Sequence, residues 1–254
     1  MKVVVCVTQV LEVSRYLEFG AGGTAVDPAF ATATVNEADL CAVEAALAVV
    51  EAAGEGEVVV VGAGEDNAEE ALRGALAMGP ERAIRVWTDG LAVDDVRTLG
   101  SALAQAVATE SPDLVLCGVQ SSDIGQQSTG PALAAAWGAP CVSVARSLAV
   151  KGRTIIAQRE FEGGLTETVE VDLPAVVTVQ VGANTPRYGS FKDKMRAKKA
   201  EIPVLAPVDL GVPRSVVTQM TTAPGGSGRS IEMIEGGPAG VAARIVALVR
   251  EVSS

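Results

Sequence analysis

Between residues 118 and 131 the chain reads GVQSSDIGQQSTGP. Ser121, Ser122, Asp123, Gln126, Gln127, Ser128 and Thr129 crowd into this run, and Gly130 follows at the opening of an expected helix. Hydroxyls, amides and the free N–H groups of a helix N-terminus are the donors that hold a phosphate. The run contains neither Gly-Lys-Ser/Thr nor GxGxxG, so it is not a Walker loop or a dinucleotide fingerprint. As bare residues it also reads as a solvated loop with a helix cap. Three further segments join it if they close strands of one parallel sheet, because ligands of such sheets bind outside the strand carboxyl ends. They are Cys6-Val7-Thr8-Gln9, Gly62-Ala63-Gly64 and Asn36. The small residues at 62–64 let a ligand approach backbone N–H groups, although glycine after a parallel strand is common. Asn36 and Asp39 are spaced as a helix-capping pair, and an Asn in that place can also touch a nucleotide.

Other chemistries find little support. The chain has no histidine, which removes His-based acid–base catalysis, Ser-His and Cys-His nucleophiles and His-ligated metals. Cys6, Cys41, Cys117 and Cys141 are dispersed without a CxxC and read as small apolar residues, not as a disulfide, metal or redox centre. Arg159 and Glu160 are adjacent, so on a strand they point to opposite faces and form no acid–base pair. No catalytic residue or metal ligand is assigned, and an enzyme of small-molecule metabolism is the weakest reading.

A second signal is electrostatic. Residues 186–199, PRYGSFKDKMRAKK, hold six of the chain's 20 Lys and Arg against one Asp, a local +5 in a protein of net charge −11. A nucleic-acid patch, a membrane anchor, a docking loop and a solvated basic turn are the alternatives. The acidic remainder would repel phosphates, and no aromatic stacking platform accompanies the cations. A single Phe191 offers a bilayer little apolar area.

These residues need elements to position them. Runs rich in β-branched residues recur at 3–7, 58–64, 83–87, 114–119 and 176–181, without alternation, as expected of parallel strands covered on both faces. Amphipathic helices are predicted at 37–54, 66–79, 94–110 and 129–138. Strand–helix alternation of this kind gives a doubly wound α/β domain with a mostly parallel sheet. Residues 11–35 are Gly-rich and irregular, a long loop or hairpin. Residues 144–173 alternate around Lys151-Gly152 and Gly163-Gly164, which predicts an antiparallel hairpin addition. From Asn184 the rhythm stops: Pro186, Pro203, Pro207, Pro213, Pro224 and GGSG at 225–228 describe an extended arm lying on another surface. Val241, Ile245, Leu248 and Val252 then make one apolar stripe on a C-terminal helix. The expected division is residues 1–183, the nucleotide-binding domain, and 184–254, the docking and partner-contacting part. No apolar run reaches the roughly 18 residues that span a bilayer, and the N-terminus lacks a signal-peptide cleavage site, so the cytoplasm is the default location.

At these residues the sequence resembles the β subunit of electron transfer flavoproteins. The opening VVVCVTQV, NEADLCAVEAAL, ALRGALAMGPERAIRV, PDLVLCGVQSSD with GQQSTGPALAAAWGAP, and QREFEGGLTETVEVDLPAVVTVQVGANTPRY with SFKDKMRAKKAEI carry the likeness. The resemblance implies a fold of adenine-nucleotide-binding, Rossmann-like type and an electron carrier without catalytic activity of its own. It would pair with an α subunit that holds most of the FAD, serve flavin-dependent dehydrogenases, and keep an AMP in the β subunit. The AMP site would fall on Cys6, Val7, Asn36, Ala63 and Gly64, with Asp123, Gln126, Gln127, Ser128, Thr129 and Gly130 at the phosphate. The family's docking loop falls on 186–199, with Arg187, Tyr188, Lys192, Met195, Lys198 and Lys199 around Phe191, the anchor for a partner's pocket. Thr8-Gln9-Val10-Leu11 and Asn36-Glu37-Ala38 depart from the usual Lys-Gln-Val-Pro and Asn-Pro-aromatic, which marks a divergent member and favours a non-bifurcating one. On the residues alone, a stand-alone adenine-nucleotide-binding regulator is the alternative.

Overall fold

The computed structural model describes residues 1–13, 17–222 and 233–252. Pro224 and the GGSG of the expected arm lie outside them, as do residues 14–16 of the Gly-rich stretch. Two compact units are formed, Met1–Met220 and Thr221–Ser254. The stretch that follows Asn184 therefore begins inside the first unit.

The first unit is built on β1 (Lys2–Cys6), β2 (Gln9–Val13), β3 (Ala31–Val35), α1 (Glu37–Ala53), β4 (Glu57–Ala63), α2 (Ala68–Leu76), β5 (Arg82–Val86), α3 (Val96–Glu110), β6 (Leu114–Gly118) and α4 (Thr129–Trp137). It continues through β7 (Cys141–Lys151), β8 (Thr154–Glu160), β9 (Thr166–Asp172), β10 (Ala175–Val179), α5 (Phe191–Lys199) and β11 (Val204–Leu205). One sheet runs β11-β5-β4-β1-β6-β10-β7-β8-β9, and β2 pairs separately with β3. All pairs from β11 to β7 are parallel, whereas β8 and β9 add antiparallel.

The valine runs explain the layering. Successive strand residues face opposite sides, so Val3 and Val5 pack with α1 and α2 while Val4 and Cys6 pack with α3 and α4. Both sides of the central strands are buried, which is why they show no alternation. From β1 the chain winds outward through β4 and β5, then returns to β6 on the other flank of β1. That reversal between β1 and β6 creates a crevice at their carboxyl ends.

The irregular stretch after β1 resolves as a hairpin, with Gln9 opposite Val35 and Val13 opposite Ala31. The alternating stretch becomes β7, β8 and β9, of which β7 also completes the parallel sheet beside β10. Two parts of the expected arm are regular structure. α5 packs beside α2, and β11 extends the sheet at β5. The second unit contains α6 (Pro238–Val252), with an ion pair between Arg244 and Glu251 at 3.7 Å. Among the described residues no helix is long and apolar enough to cross a membrane.

Candidate functional site

A cleft of about 410 Å³ opens at the switch point. Cys6 and Val7 at the end of β1, Ala63 and Gly64 at the end of β4, Ser121, Asp123 and Gln126 before α4, and Thr129 at its start all line it. Its volume lies within the range of small-molecule clefts. Trp87, Leu91, Val93, Leu99 and Leu103 supply an apolar wall from the end of β5 and the start of α3. Sequence reasoning missed that wall. The signal was available, since Trp87 ends a recognised strand and the strand-end rule covers it equally.

Helix α4 enters the cleft without a side-chain cap: Ser128 occupies the N-cap position but makes no capping hydrogen bond. The first-turn N–H groups of a helix have no intrahelical acceptor, so these are left for another one. By contrast, Asp95 caps α3 through Thr98 N, and Ser190 caps α5 through Asp193 N. Gly130 stands where α4 touches the sheet. A Cβ there would lie 2.4 Å from Thr178 Cγ2, so the helix approaches this closely only with glycine.

The loop before α4 is organised by carboxylates and amides gathering backbone N–H groups. Asn36 is buried, its Nδ2 donates to Gln120 O at 2.8 Å, and its Oδ1 accepts from Ser122 N at 3.2 Å. It sits at the N-cap position of α1 but does not cap it. The expected capping pair is therefore corrected: the side chain is drawn across to the loop, which offers both partners it needs. Asp39 is likewise no cap. Its Oδ2 accepts from Thr8 N and its Oδ1 from Gly118 N, each at 2.7 Å. It thus ties the ends of β1 and β6 together at the switch point. Burial raises its pKa to about 6, against the opposing pull of the two backbone N–H groups. A Cβ on Gly118 would fall 2.3 Å from Asp39 Oδ1, so this clasp requires glycine.

Asp123 accepts from Ile124 N at 2.7 Å and from Leu11 N at 3.3 Å, pinning the β2–β3 hairpin to the loop. Gln127 Nε2 donates to Gln120 Oε1 at 2.7 Å, and Ser121 Oγ accepts from Gln126 N at 3.3 Å. Of the predicted cofactor residues, Cys6, Val7, Ala63, Gly64, Asp123, Gln126 and Thr129 form the wall. Asn36, Gln127, Ser128 and Gly130 support it from behind or at its edge.

Cys6, Cys41 and Cys117 are buried, as expected of small apolar residues, but Cys141 is exposed. Hydrogen bonding with Cys6, its register partner across β1 and β6, and burial push the Cys117 thiol up. Among the described residues no acidic or cysteine cluster could hold a metal. Arg159 and Glu160 answer different partners, Glu167 and Arg146.

Within the basic stretch, residues 186–190 are irregular and Phe191–Lys199 is helix α5. Ser190 and Asp193 form a capping box at the start of α5. Arg187 is folded back: its guanidinium meets Glu44 at 2.8 Å and Glu51 at 2.5 Å. This pairing, chiefly the hydrogen bond from Arg187, holds the Glu44 carboxyl below the usual range. Tyr188 and Phe191 are 95% and 80% exposed, and Lys192, Met195, Lys198 and Lys199 are exposed around them. The local charge thus divides into arginines used inside the fold and lysines that face outward.

Parallel sheet, switch-point crevice and uncapped helix define a doubly wound α/β protein with a strand-end cleft of the type that takes nucleotides. A family model, Electron transfer flavoprotein domain, matches residues 27–210. The chain is 36% identical over 215 residues to the electron transfer flavoprotein subunit beta of Methylophilus methylotrophus, covering 84% of this chain and 81% of that one. It is 38% identical over 206 residues to the subunit beta of Syntrophomonas wolfei, covering 81% and 80%. To that of Mycobacterium tuberculosis it is 37% identical over 216 residues, covering 83% and 80%. The chain belongs to the electron transfer flavoprotein family, and the relatives it matches are β subunits.

Proposed function

We propose that the chain is the β subunit of a heterodimeric electron transfer flavoprotein, a carrier and not an enzyme. It would accept electrons from flavin-linked dehydrogenases through an FAD held mainly by an α subunit, and pass them to a downstream acceptor. The likeness to β subunits over about four-fifths of both chains carries this reading. The flavin supplies the redox chemistry when bound; this chain's own residues bind and orient.

We assign the cleft to AMP. The residues fit a mononucleotide: α4 presents uncapped N–H groups for a phosphate, and the wall from Trp87 to Leu103 gives a base an apolar surface. Asp123 acts through the loop it holds, because a carboxylate accepts and does not donate to phosphate; Asn36 acts through the same loop, its Nδ2 donating to Gln120 O. Among the described lining residues there is no Lys or Arg, while Glu65, Asp94 and Asp123 are present. Each added phosphate would bring more negative charge against that wall, so the cleft suits AMP better than ATP. This favours the carrier over a regulator that senses ATP.

The surface of Tyr188, Phe191, Lys192, Met195, Lys198 and Lys199, entered through Arg187, is assigned to partner docking. Phe191 would enter an apolar pocket while the lysines steer an acidic partner. Two measurements test the reading. Co-expression with an α subunit should yield a yellow, reducible complex whose denaturation releases AMP, identified by mass spectrometry; a stable flavin-free monomer that binds ATP would overturn it. Phe191→Ala should slow transfer from the dehydrogenase with nucleotide content unchanged, and unaltered kinetics would remove the docking assignment.

A further inference from the structure

Helices α1, α3 and α4 end on a left-handed residue, Gly54, Ser111 and Gly138 respectively. Helices α2 and α5 do not: Ala77 is right-handed and Ala200 is extended. The last carbonyls of a helix need another donor when that motif is absent. Here each helix receives a guanidinium from the other: Lys198 O gains a donor, Ala197 O and Leu76 O gain a second one beside Ala200 N and Gly79 N, and Ala200 O and Pro80 O are held just beyond the helix ends. Arg73 of α2 donates through Nη1 to Ala197 O at 2.8 Å, Lys198 O at 3.2 Å and Ala200 O at 2.9 Å. Its Nη2 is fixed by Glu69 at 2.9 Å. In return, Arg196 of α5 donates through Nη2 to Leu76 O at 2.9 Å and through Nη1 to Pro80 O at 3.0 Å.

This exchange matters because, beyond the capping box at its start, α5 has little else to hold it. It is nine residues long and buries only Ala197, whereas an isolated helix below about 12 residues is marginal in water. Guanidinium groups at helix carbonyls also oppose the negative end of the helix dipole. We infer that Arg73 and Arg196 are positioning residues for partner docking, holding α5 rigid so that Phe191 and the lysines are presented in one fixed arrangement. The inference rests on the docking assignment above. A pre-ordered helix binds without paying the ordering entropy at the moment of contact.

The test uses the full heterodimer. In Arg73→Met and Arg196→Met, amide hydrogen exchange across Phe191–Lys199 rises about tenfold or more, while exchange in the central strands is unchanged. With a flavin dehydrogenase chosen because the wild-type complex oxidises it, KM rises about three- to tenfold, and kcat and bound nucleotide stay constant. Arg73→Lys, which keeps a cationic donor, recovers part of the loss and serves if the Met variant fails to assemble. Added to Phe191→Ala, Arg73→Met raises KM no further, because the arginine acts through that side chain. Unchanged exchange in α5, or a KM effect that adds in full to Phe191→Ala, overturns the inference while leaving the docking assignment standing. An unchanged KM in Phe191→Ala alone overturns both.

Discussion

The cleft and the docking helix are built from opposite halves of the peptide group. At the cleft, strand and helix ends leave N–H groups free, and Asp39, Asn36 and Asp123 collect those not left for a ligand. At the docking helix, Arg73 and Arg196 gather carbonyls in and just beyond the last turns of the facing helices. The buried acid makes the first region costly to disturb, because its partners are partly withdrawn from water. In the second, Phe191 and the lysines are exposed and contribute almost nothing to folding. A protein that must keep one ligand and release another can use this separation.

The comparison breaks most visibly at Asp39. Asp39→Ala leaves the partly buried Thr8 and Gly118 N–H groups without this acceptor, and should cost about 2 kcal/mol in urea unfolding of the complex, with loss of bound nucleotide. A loss below about 1 kcal/mol would mean that the two strand ends are held by something else. Arg187→Ala comes next. It releases Glu44 and Glu51 from a partly exposed pair, so about 1 kcal/mol is expected after allowing for solvent screening, read as a fall of a few degrees in Tm.

The two regions also titrate with opposite sign. The pKa of Asp39 is raised from 3.8 to about 6 by burial. A raised carboxyl favours the folded state below its unfolded pKa and loses that contribution as pH rises through the folded value. The stability gap between wild type and Asp39→Asn should therefore widen as pH falls from 7 to 4. Glu44 is lowered from 4.5 by Arg187, so its contribution is present above that value and disappears as pH falls through the lowered one. The gap to Glu44→Gln should shrink on acidification below about 4.5, and two gaps moving together would contradict the assignment. The smallest thermodynamic effect belongs to Phe191→Ala, within about 0.5 kcal/mol in unfolding, although its effect on transfer should be the clearest of the set.

Much of this was legible in the residues. β-branched runs without alternation gave the buried parallel strands, and the donor-rich run before Thr129 marked the helix that opens into the cleft. Local pattern worked there because strand burial and helix starts are written in neighbouring residues. It failed where one side chain serves a distant segment. Asn36 and Asp39 carry the spacing of a capping pair, yet they bond to Gln120, Ser122, Thr8 and Gly118. Residues 186–199 suggested a loop, because the surrounding prolines and glycines masked a nine-residue helix whose carbonyls are satisfied by Arg73, more than 120 positions away.

The sequence by itself determined the layered α/β core, the position of the cleft at the strand ends, and the run of cations around Phe191. Periodicity and composition suffice for these, since each depends on short-range chemistry. Only the tertiary structure decided which polar groups are spent on the fold and which remain for ligand or partner. That division depends on where each backbone N–H and C=O finds its partner, and those partners come from residues far apart in the chain.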